Sequence, residues 1–541
     1  MAVASMFLSF PSLTLAAAIE SLLIIKLIPN QYSTRSHLIA VAAVVLVNYA
    51  FGVAFWGLLY PMFFSPLRHI PGPKAYVSAA HRSLVIKDKP SGDLFLELAE
   101  QYPGENLITL NSSRDQLCVM NPQLLADLLV HRCYDFAKPR RISSFLRHIL
   151  GDGLIMVEGD QHKFLRKNTT PAFHFRHIKE LYPMMWAKGG SLMRALSQDI
   201  TATGSSVVEL NGWASKVTLD IIGIAGLGRR FDAVEKRKDP LADIYEELLE
   251  PDREKLIFSM LALAFGLPII RLIPWKMNHV FHHLTGSLSD FCFSMIKEKK
   301  VAMSDKNDDH FDILSLLIRS NNFTDESLKD QLLTFLAAGH ETTASALTWA
   351  CYLLTKHPEV QSKLREEVRG ALPHQTRDSS VATFAGILER LPYLNGIIQE
   401  TLRLYPTVPL TMRQAVCDTY IGQQFIPKGT DIIVSIWYIN RAQRIWGPDA
   451  AEFRPERWIT QDGKPNQHGG ASSNYNFMTF LHGPRSCIGQ GFAKAEMRCL
   501  LANMVRSFEW TLAMDDGLVL PRGVITIKPE NGMYLNLKAL E

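Results

Sequence analysis

The chain has 541 residues, ample for a large hydrophobic core and too long for a minimal single domain. Lysine and arginine number 57 against 53 aspartates and glutamates, a formal net charge of +4, which gives no reason to expect a nucleic-acid partner. Seven cysteines (Cys118, Cys133, Cys292, Cys351, Cys417, Cys487, Cys499) are scattered without a CxxC pair, so they read as reduced thiols on the cytosolic side, six of them small buried hydrophobes.

The N-terminus is far more apolar than the rest. From Leu38 to Leu67 no residue carries a formal charge, and a span over about 38–60 is long enough to cross a bilayer. Trp56 and Tyr60 suit the interfacial belt, and Arg68, His69 and Lys74 suit the cytosolic end. A weaker apolar stretch, about 3–25, contains Pro11 and several hydroxyls. It leaves open a second span, an interfacial helix or part of a targeting signal; the missing basic n-region disfavours a cleaved secretory signal. Ile70-Pro71-Gly72-Pro73 then reads as a stiff, non-helical link. The expected division is an anchor over 1–67, a Pro/Gly hinge over 68–74 and a globular body over 75–541.

The body is mostly helical by pattern. Strand-like runs occur early (LITLNS, QLCVM) and late (TYIGQQFIP, GTDIIVSIW, VITIKP, MYLNLKAL), which predicts a mainly α protein with small β-sheets. The last two runs flank Glu530-Asn531-Gly532, a hairpin turn signal. One long helix is capped by Thr324, carries Asp325 and Glu326 at its positive end and runs until His357-Pro358 stops it, roughly 50 Å later. Another, LPYLNGIIQETLRLYP, starts at Pro392 and ends before Pro406.

The sharpest local signal is Phe480-Leu-His-Gly483-Pro-Arg485-Ser-Cys487-Ile-Gly489. A thiolate that ligates a metal needs open approach and donors around its sulphur. Gly483 and Gly489 permit a tight turn and close backbone approach to a flat cofactor, Arg485 offers a fork for a carboxylate, and Phe480 an apolar wall. The segment resembles the haem-binding signature FxxGxRxCxG of the cytochrome P450 family. Its five fixed positions coincide by chance roughly once per million starting points.

Other motifs follow in that family's order. Ala338-Gly339-His340-Glu341-Thr342-Thr343 begins like the HExxH zinc motif, but residue 344 is alanine, so that reading fails. It resembles the acid–alcohol element AGxE/DTT. The resemblance implies that Ala338 and Gly339 let haem and dioxygen approach, that Thr342 hydrogen-bonds the activated oxygen, and that Glu341 relays protons; His340 receives no role. Glu400 and Arg403, three apart on one helix face, resemble ExxR, and Phe453-Arg-Pro455-Glu-Arg457-Trp458 resembles the PERF/PERW element. These imply that Glu400, Arg403 and Arg457 form a buried supporting network. His162 and Arg166 stand where the family has WxxxR, with histidine replacing tryptophan, and Arg413 aligns with another propionate-binding position.

The resemblance, covering 68–541, implies a cytochrome P450 fold preceded by an N-terminal membrane anchor, with haem b on Cys487. It implies an O2- and NADPH-dependent monooxygenase that oxidises a lipophilic molecule, of a style close to fungal secondary-metabolite enzymes. Substrate contacts are expected at 138–157, Phe335–Ala338, Val408–Leu410 and the turn Asn531–Met533. No GxGxxG or flavin-binding extension is visible, so electrons are expected from a separate NADPH–cytochrome P450 reductase, with cytochrome b5 as a further partner. Lys163, Lys167, Lys494 and Arg498 could face such a partner. Membrane lipid and an endoplasmic-reticulum location with the body facing the cytosol complete the expectation. The rival readings are a haem-thiolate isomerase or dehydratase needing no reductase, a hydroxylase of sterols, fatty acids or xenobiotics, and a non-enzymatic haem sensor.

Overall fold

The structure, a computed structural model, describes residues 19–20, 23, 26, 34–55, 60, 63–73, 89–90, 92–111, 115–236, 244, 253–304, 312–372, 381–523 and 525–540. In chain order, the elements that build the site are α1 (Thr34–Ala54), β1 (Leu107–Asn111), β2 (Asp115–Val119), β3 (Phe136–Ala137), α2 (Gly159–Thr169), β4 (Val207–Glu209) and α3 (Leu210–Leu227). There follow α4 (Asp325–Lys356), α5 (Pro392–Leu404), β5 (Leu410–Ala415), β6 (Thr419–Ile421), β7 (Gln424–Ile426), β8 (Asp431–Ser435), α6 (Gln490–Ser507), β9 (Phe508–Leu512), β10 (Pro521–Arg522), β11 (Lys528–Pro529) and β12 (Tyr534–Ala539).

The long central helix forms as its signals predict. The Thr324 side chain accepts from Ser327 N, and α4 then runs 32 residues, about 48 Å, to His357 before Pro358. Every residue from Thr343 to Leu354 is buried, because α3, α5 and α6 pack around it. Glu209 caps α3 by accepting from Asn211 N and Gly212 N. Leucine, isoleucine, alanine and methionine side chains of these helices make one large core.

A second core lies against a mixed five-stranded sheet in the order β1-β2-β8-β5-β3. Only β2 and β8 run parallel, with Cys118 opposite Ile433; β5 lies antiparallel to β8, with Arg413 opposite Ile432. The run GTDIIVSIW splits, since Ser435 ends β8 and its hydroxyl caps the helical turn at Tyr438 N. The hairpin expected at Glu530–Gly532 does not form. β11 pairs with β10, whereas β12 pairs with β4 and β9. Glu209 and Leu210 draw the chain away, through Met533 N to Glu209 Oε1 (2.9 Å) and Leu210 N to Met533 O (2.8 Å).

Among the described residues, no helix is long and apolar enough to cross a membrane. The expected span over 38–60 begins within the 21-residue α1 and continues into 56–59, outside the described residues; the weaker stretch lies almost wholly outside them. Ile39, Val45, Leu46, Val47 and Phe51 of α1 are exposed. The chain then docks on the body: Tyr60 and Ser65 hydroxyls donate to Asp115 (3.0 and 2.6 Å), and Leu67 and Ile70 are buried against the sheet. The described part of the proline-rich link, 68–73, is non-helical and bound, with Thr109 N donating to Pro71 O (2.9 Å). Gly72 fits only as glycine, because a Cβ there would lie 2.1 Å from Thr109 O. Five of the six cysteines outside the signature are buried, but Cys417 is exposed on the loop between β5 and β6, where no core reaches it.

Candidate active site

The signature loop is tied by its own backbone. Cys487 N donates to Phe480 O (2.8 Å), Ser486 N to Gly483 O (3.0 Å) and Leu481 N to Met478 O (2.9 Å). Leu481 adopts a left-handed φ of 55°, a strained value for a side chain with a Cβ. Gly483, at φ 77°, could not be replaced: a Cβ would stand 2.0 Å from Leu129 O. Burial pushes the Cys487 thiol up, while the Gly489 N–H and the Arg166 guanidinium favour the thiolate. Cys487 is exposed, unlike the five buried cysteines elsewhere, which leaves its sulphur open to approach.

Beside this loop the chain gathers more positive charge than it balances. Glu158, preceding α2, accepts from Lys138 N (2.9 Å) and Lys138 Nζ (3.1 Å) and pairs with Arg485 Nη2. Arg485 Nη1 donates to the carbonyls of Cys133 and Phe136. Arg413 is buried next to it, its Nη1 on Thr411 Oγ1 (2.9 Å) and Met412 O (2.8 Å). Burial and Arg485 push Arg413 down to about 10; burial, with Arg413 and Arg485 adding repulsion, takes Lys138 to about 8 despite Glu158. His162 is buried and pushed down to about 4 by burial, Arg485 and Lys138. Three cations thus share one carboxylate. Arg485 Nε and His162 Nδ1 are buried without a hydrogen-bond partner. Two further carboxylates would satisfy both the charge and the orphaned donors, and haem carries two, so this cluster fits its propionates.

Arg485 therefore does not offer its whole fork, as its sequence setting suggested: both Nη atoms are engaged, and Nε remains. Arg166 meets the loop itself, donating from Nη1 to Ser486 O (2.6 Å). Lys138 and Glu158 carry no motif, and Lys138 begins a segment expected to border substrate. Only the pairing of β3 with β5 brings them to Arg413 and Arg485.

On α4, Ala338, Gly339, Glu341 and Thr342 are partly exposed between buried Leu336 and Thr343. Thr342 Oγ1 donates back to Ala338 O (2.7 Å) and Thr343 Oγ1 to Gly339 O (3.3 Å). Gly339 also lets α3 approach α4 closely. A Cβ there would meet Ile222 Cδ1 of α3 at 2.9 Å, so this glycine serves helix packing. His340 ties the same two helices: its Nε2 pairs with Ser215 Oγ (3.1 Å) and its carbonyl accepts from Thr218 Oγ1 (3.0 Å). Burial raises the Glu341 carboxyl, opposed by the Lys528 charge and the Thr526 hydroxyl. Glu496 of α6, also absent from the expected set, is fully buried against Thr343, and burial holds its carboxyl well above the ordinary range.

The supporting network forms as expected. Glu400 and Arg403 are completely buried and doubly bonded (2.8 and 2.7 Å), with Arg457 Nε at 3.4 Å and Trp458 Nε1 at 2.8 Å from the same carboxylate. The expected basic face is largely not one. Arg498 turns inward to Asn395 Oδ1 (2.7 Å) and Tyr182 OH (3.1 Å). Lys494 lies over the Phe480 ring (5.4 Å), pushed to about 7 by burial and Arg498. Lys163 is held by Asp160 (2.8 Å), leaving Lys167 exposed and outside any ion pair among the described residues. Of the expected substrate contacts, Phe335 is buried with its ring edge-on to Phe173 (5.6 Å). In the turn Asn531–Met533, Asn531 Nδ2 donates to Leu518 O (2.9 Å), and Met533 is buried beside Glu209.

The comparisons agree with this geometry. The family model described as Cytochrome P450 matches residues 71–535. The chain is similar to cytochrome P450 monooxygenase sphH of Aspergillus fumigatus, 40% identical over 514 residues, covering 93% of this chain and 94% of that protein. It is 35% identical over 557 residues to cytochrome P450 monooxygenase ALT8 of Alternaria alternata, covering 90% and 92% of the two chains. With cytochrome P450 monooxygenase FUM15 of Gibberella moniliformis it shares 36% identity over 525 residues, 86% of each chain. A family match over most of the length, joined to a buried cationic cluster beside the Cys487 loop, shows that this chain belongs to the cytochrome P450 family and is a monooxygenase.

Proposed function

We propose that the protein is a membrane-held, NADPH-dependent haem-thiolate monooxygenase that oxidises a lipophilic small molecule in fungal secondary metabolism. The reading rests on the Cys487 loop, closed on its own backbone and bonded by Arg166 at Ser486 O, beside a cluster with unbalanced positive charge. Haem bound at Cys487 would supply dioxygen activation, with electrons delivered by NADPH–cytochrome P450 reductase and cytochrome b5 as a further donor. Arg485, Arg413, Lys138 and His162 would hold its propionates, and Glu400, Arg403 and Arg457 would fix the chain leading to the loop.

The residues of α4 would manage protons. Glu341 exchanges a proton with solvent and passes it towards the Thr342 hydroxyl, which meanwhile is parked on Ala338 O. Water is limited there by the packed α3–α4 interface around Gly339 and His340. Apolar lining, with Phe335 and Phe173 in contact, favours a lipophilic substrate. Residues 1–67 would anchor the protein in the endoplasmic-reticulum membrane, the link 68–74 leading to a cytosolic catalytic body over 75–541. The exposed apolar side chains of α1 support that arrangement.

Reductase-containing membranes bearing the protein should couple NADPH oxidation to O2 uptake. The reduced carbon monoxide complex should absorb where thiolate-ligated haem does, and Cys487→Ser should abolish that band. Substrate turnover without NADPH or O2 would refute the proposal.

A further inference from the structure

Glu158 stands just before α2, where a side chain often accepts from the first N–H groups of the helix. Its own side chain makes no such bond. It reaches instead to the end of β3, where Oε1 accepts from both Lys138 N (2.9 Å) and Lys138 Nζ (3.1 Å), while Oε2 pairs with Arg485 Nη2. The bond from the Lys138 main chain fixes the carboxylate to the edge of the sheet, because Ala137, one residue earlier, pairs with Gln414 of β5. Glu158 is therefore held in place by backbone as well as by charge.

The two cations it holds are the ones a second carboxylate would need. The Lys138 and Arg485 side chains are 20% and 7% exposed, so water screens neither of them fully. Arg485 Nη1 is committed to the carbonyls of Cys133 and Phe136, which leaves Nη2, on Glu158, and the buried Nε without a hydrogen-bond partner. An ammonium has three donors and a guanidinium five, so each can serve a further carboxylate. Their charge is divided, however. A carboxylate that approaches meets Glu158 both as a like charge and as a rival for the same donors.

We propose that Glu158 is a fixed third carboxylate at the cofactor site, which competes with the haem propionates for Lys138 and Arg485 and limits how tightly haem is held. The same anion offsets cations that would otherwise repel one another while the chain folds, and that gives a competitor a reason to be there. The inference rests on the assignment of this cluster to the propionates. It reverses the ordinary expectation for an ion pair beside a cofactor, that removing either member weakens binding. Removing the Glu158 charge should tighten the hold on haem, and removing Lys138 should loosen it.

The test follows, by absorbance, haem transfer from the full-length ferric protein to excess apomyoglobin at neutral pH. Lys138→Met should speed haem loss about tenfold, the lower end of the worth of a charge-assisted bond. Glu158→Gln keeps an acceptor for the Lys138 N–H, removes only the charge, and should slow haem loss several-fold. In a Lys138→Met background Glu158→Gln should slow it less, because one of the two shared cations is gone. Circular dichroism and a parent-like carbon monoxide band show that each variant is folded and loaded. Faster or unchanged haem loss in Glu158→Gln would overturn the competition; if Lys138→Met still loses haem quickly, the propionate assignment stands and Glu158 is a brace. Unchanged haem loss in both Lys138→Met and Arg413→Met would instead overturn the propionate assignment, and the competition with it.

Discussion

Replacing Glu400 by glutamine probes the supporting network at its most connected atom pair. Oε1 accepts from Arg403 Nη2 (2.7 Å), Arg454 N (3.1 Å) and Arg457 Nε (3.4 Å), and Oε2 accepts from Arg403 Nε (2.8 Å) and Trp458 Nε1 (2.8 Å). An amide has one acceptor oxygen, so its NH2 must face at least two of these donors. Two lost charge-assisted bonds at about 1.5–3 kcal/mol each agree with the roughly 3–5 kcal/mol cost of leaving a buried cation without its anion. Arg403 is the cation most exposed to that loss; Arg457 keeps Asp449 at 3.0 Å. Glu400→Gln should therefore destabilise the protein by about 3–5 kcal/mol, a large share of the 5–15 kcal/mol typical of a folded domain. Urea unfolding followed in parallel by far-ultraviolet circular dichroism and haem absorption measures it. Arg403→Lys should not rescue the geometry, because Arg403 makes five bonds, three of them to the carbonyls of Asn440, Ala450 and Glu452. A loss below about 1 kcal/mol for Glu400→Gln would refute the reasoning, since it would fall under the worth of a single such bond.

Gly339→Ala should cost about 1–2 kcal/mol, the overpacking against Ile222 exceeding the helix-propensity gain of roughly 1 kcal/mol. In an Ile222→Val background the cost should fall, because Cδ1 at 2.9 Å is gone while a Cγ at about 3.0 Å stays; thermal unfolding of the four proteins checks this, and a cost independent of residue 222 would count against the packing explanation. His340 has a folded pKa of about 4 against 6.5 unfolded, so the unfolded state takes up a proton first as pH falls. Stability from the neutral ring is present above pH 6.5 and lost on descending towards 4, by about 3 kcal/mol in total. His340→Leu should therefore lose less stability than the parent over that window in pH-dependent urea unfolding. Parallel pH profiles for the two proteins would show the assignment of that slope to be wrong.

What could be read in the sequence is what is local. Thr324 caps a helix whose first turn is three residues away, Glu400 and Arg403 share a face because they stand three apart, and the loop from Phe480 to Cys487 closes on its own backbone. Such contacts are fixed by spacing and backbone geometry, so their residue types betray them. The turn at Glu530–Gly532 shows the limit, since a sound turn signal says nothing of which strands will pair beyond it. There the alternative partners β4 and β9 for β12 outcompete the neighbouring strand.

Tertiary structure alone decided the rest. Glu158 and Lys138 joined the cationic cluster beside the Cys487 loop because β3 adds to the edge of β5. Arg498 looked like a surface cation until α5 supplied Asn395, and the packing duty of Gly339 appears only once α3 brings Ile222 against it. The sequence picked out the Cys487 loop, the Glu341–Thr342 segment and the Glu400–Arg403 ion pair, each written within about one or two turns of chain. It did not determine the balance of charge around them, because burial and Coulomb interactions depend on groups that are neighbours in space and hundreds of residues apart along the chain.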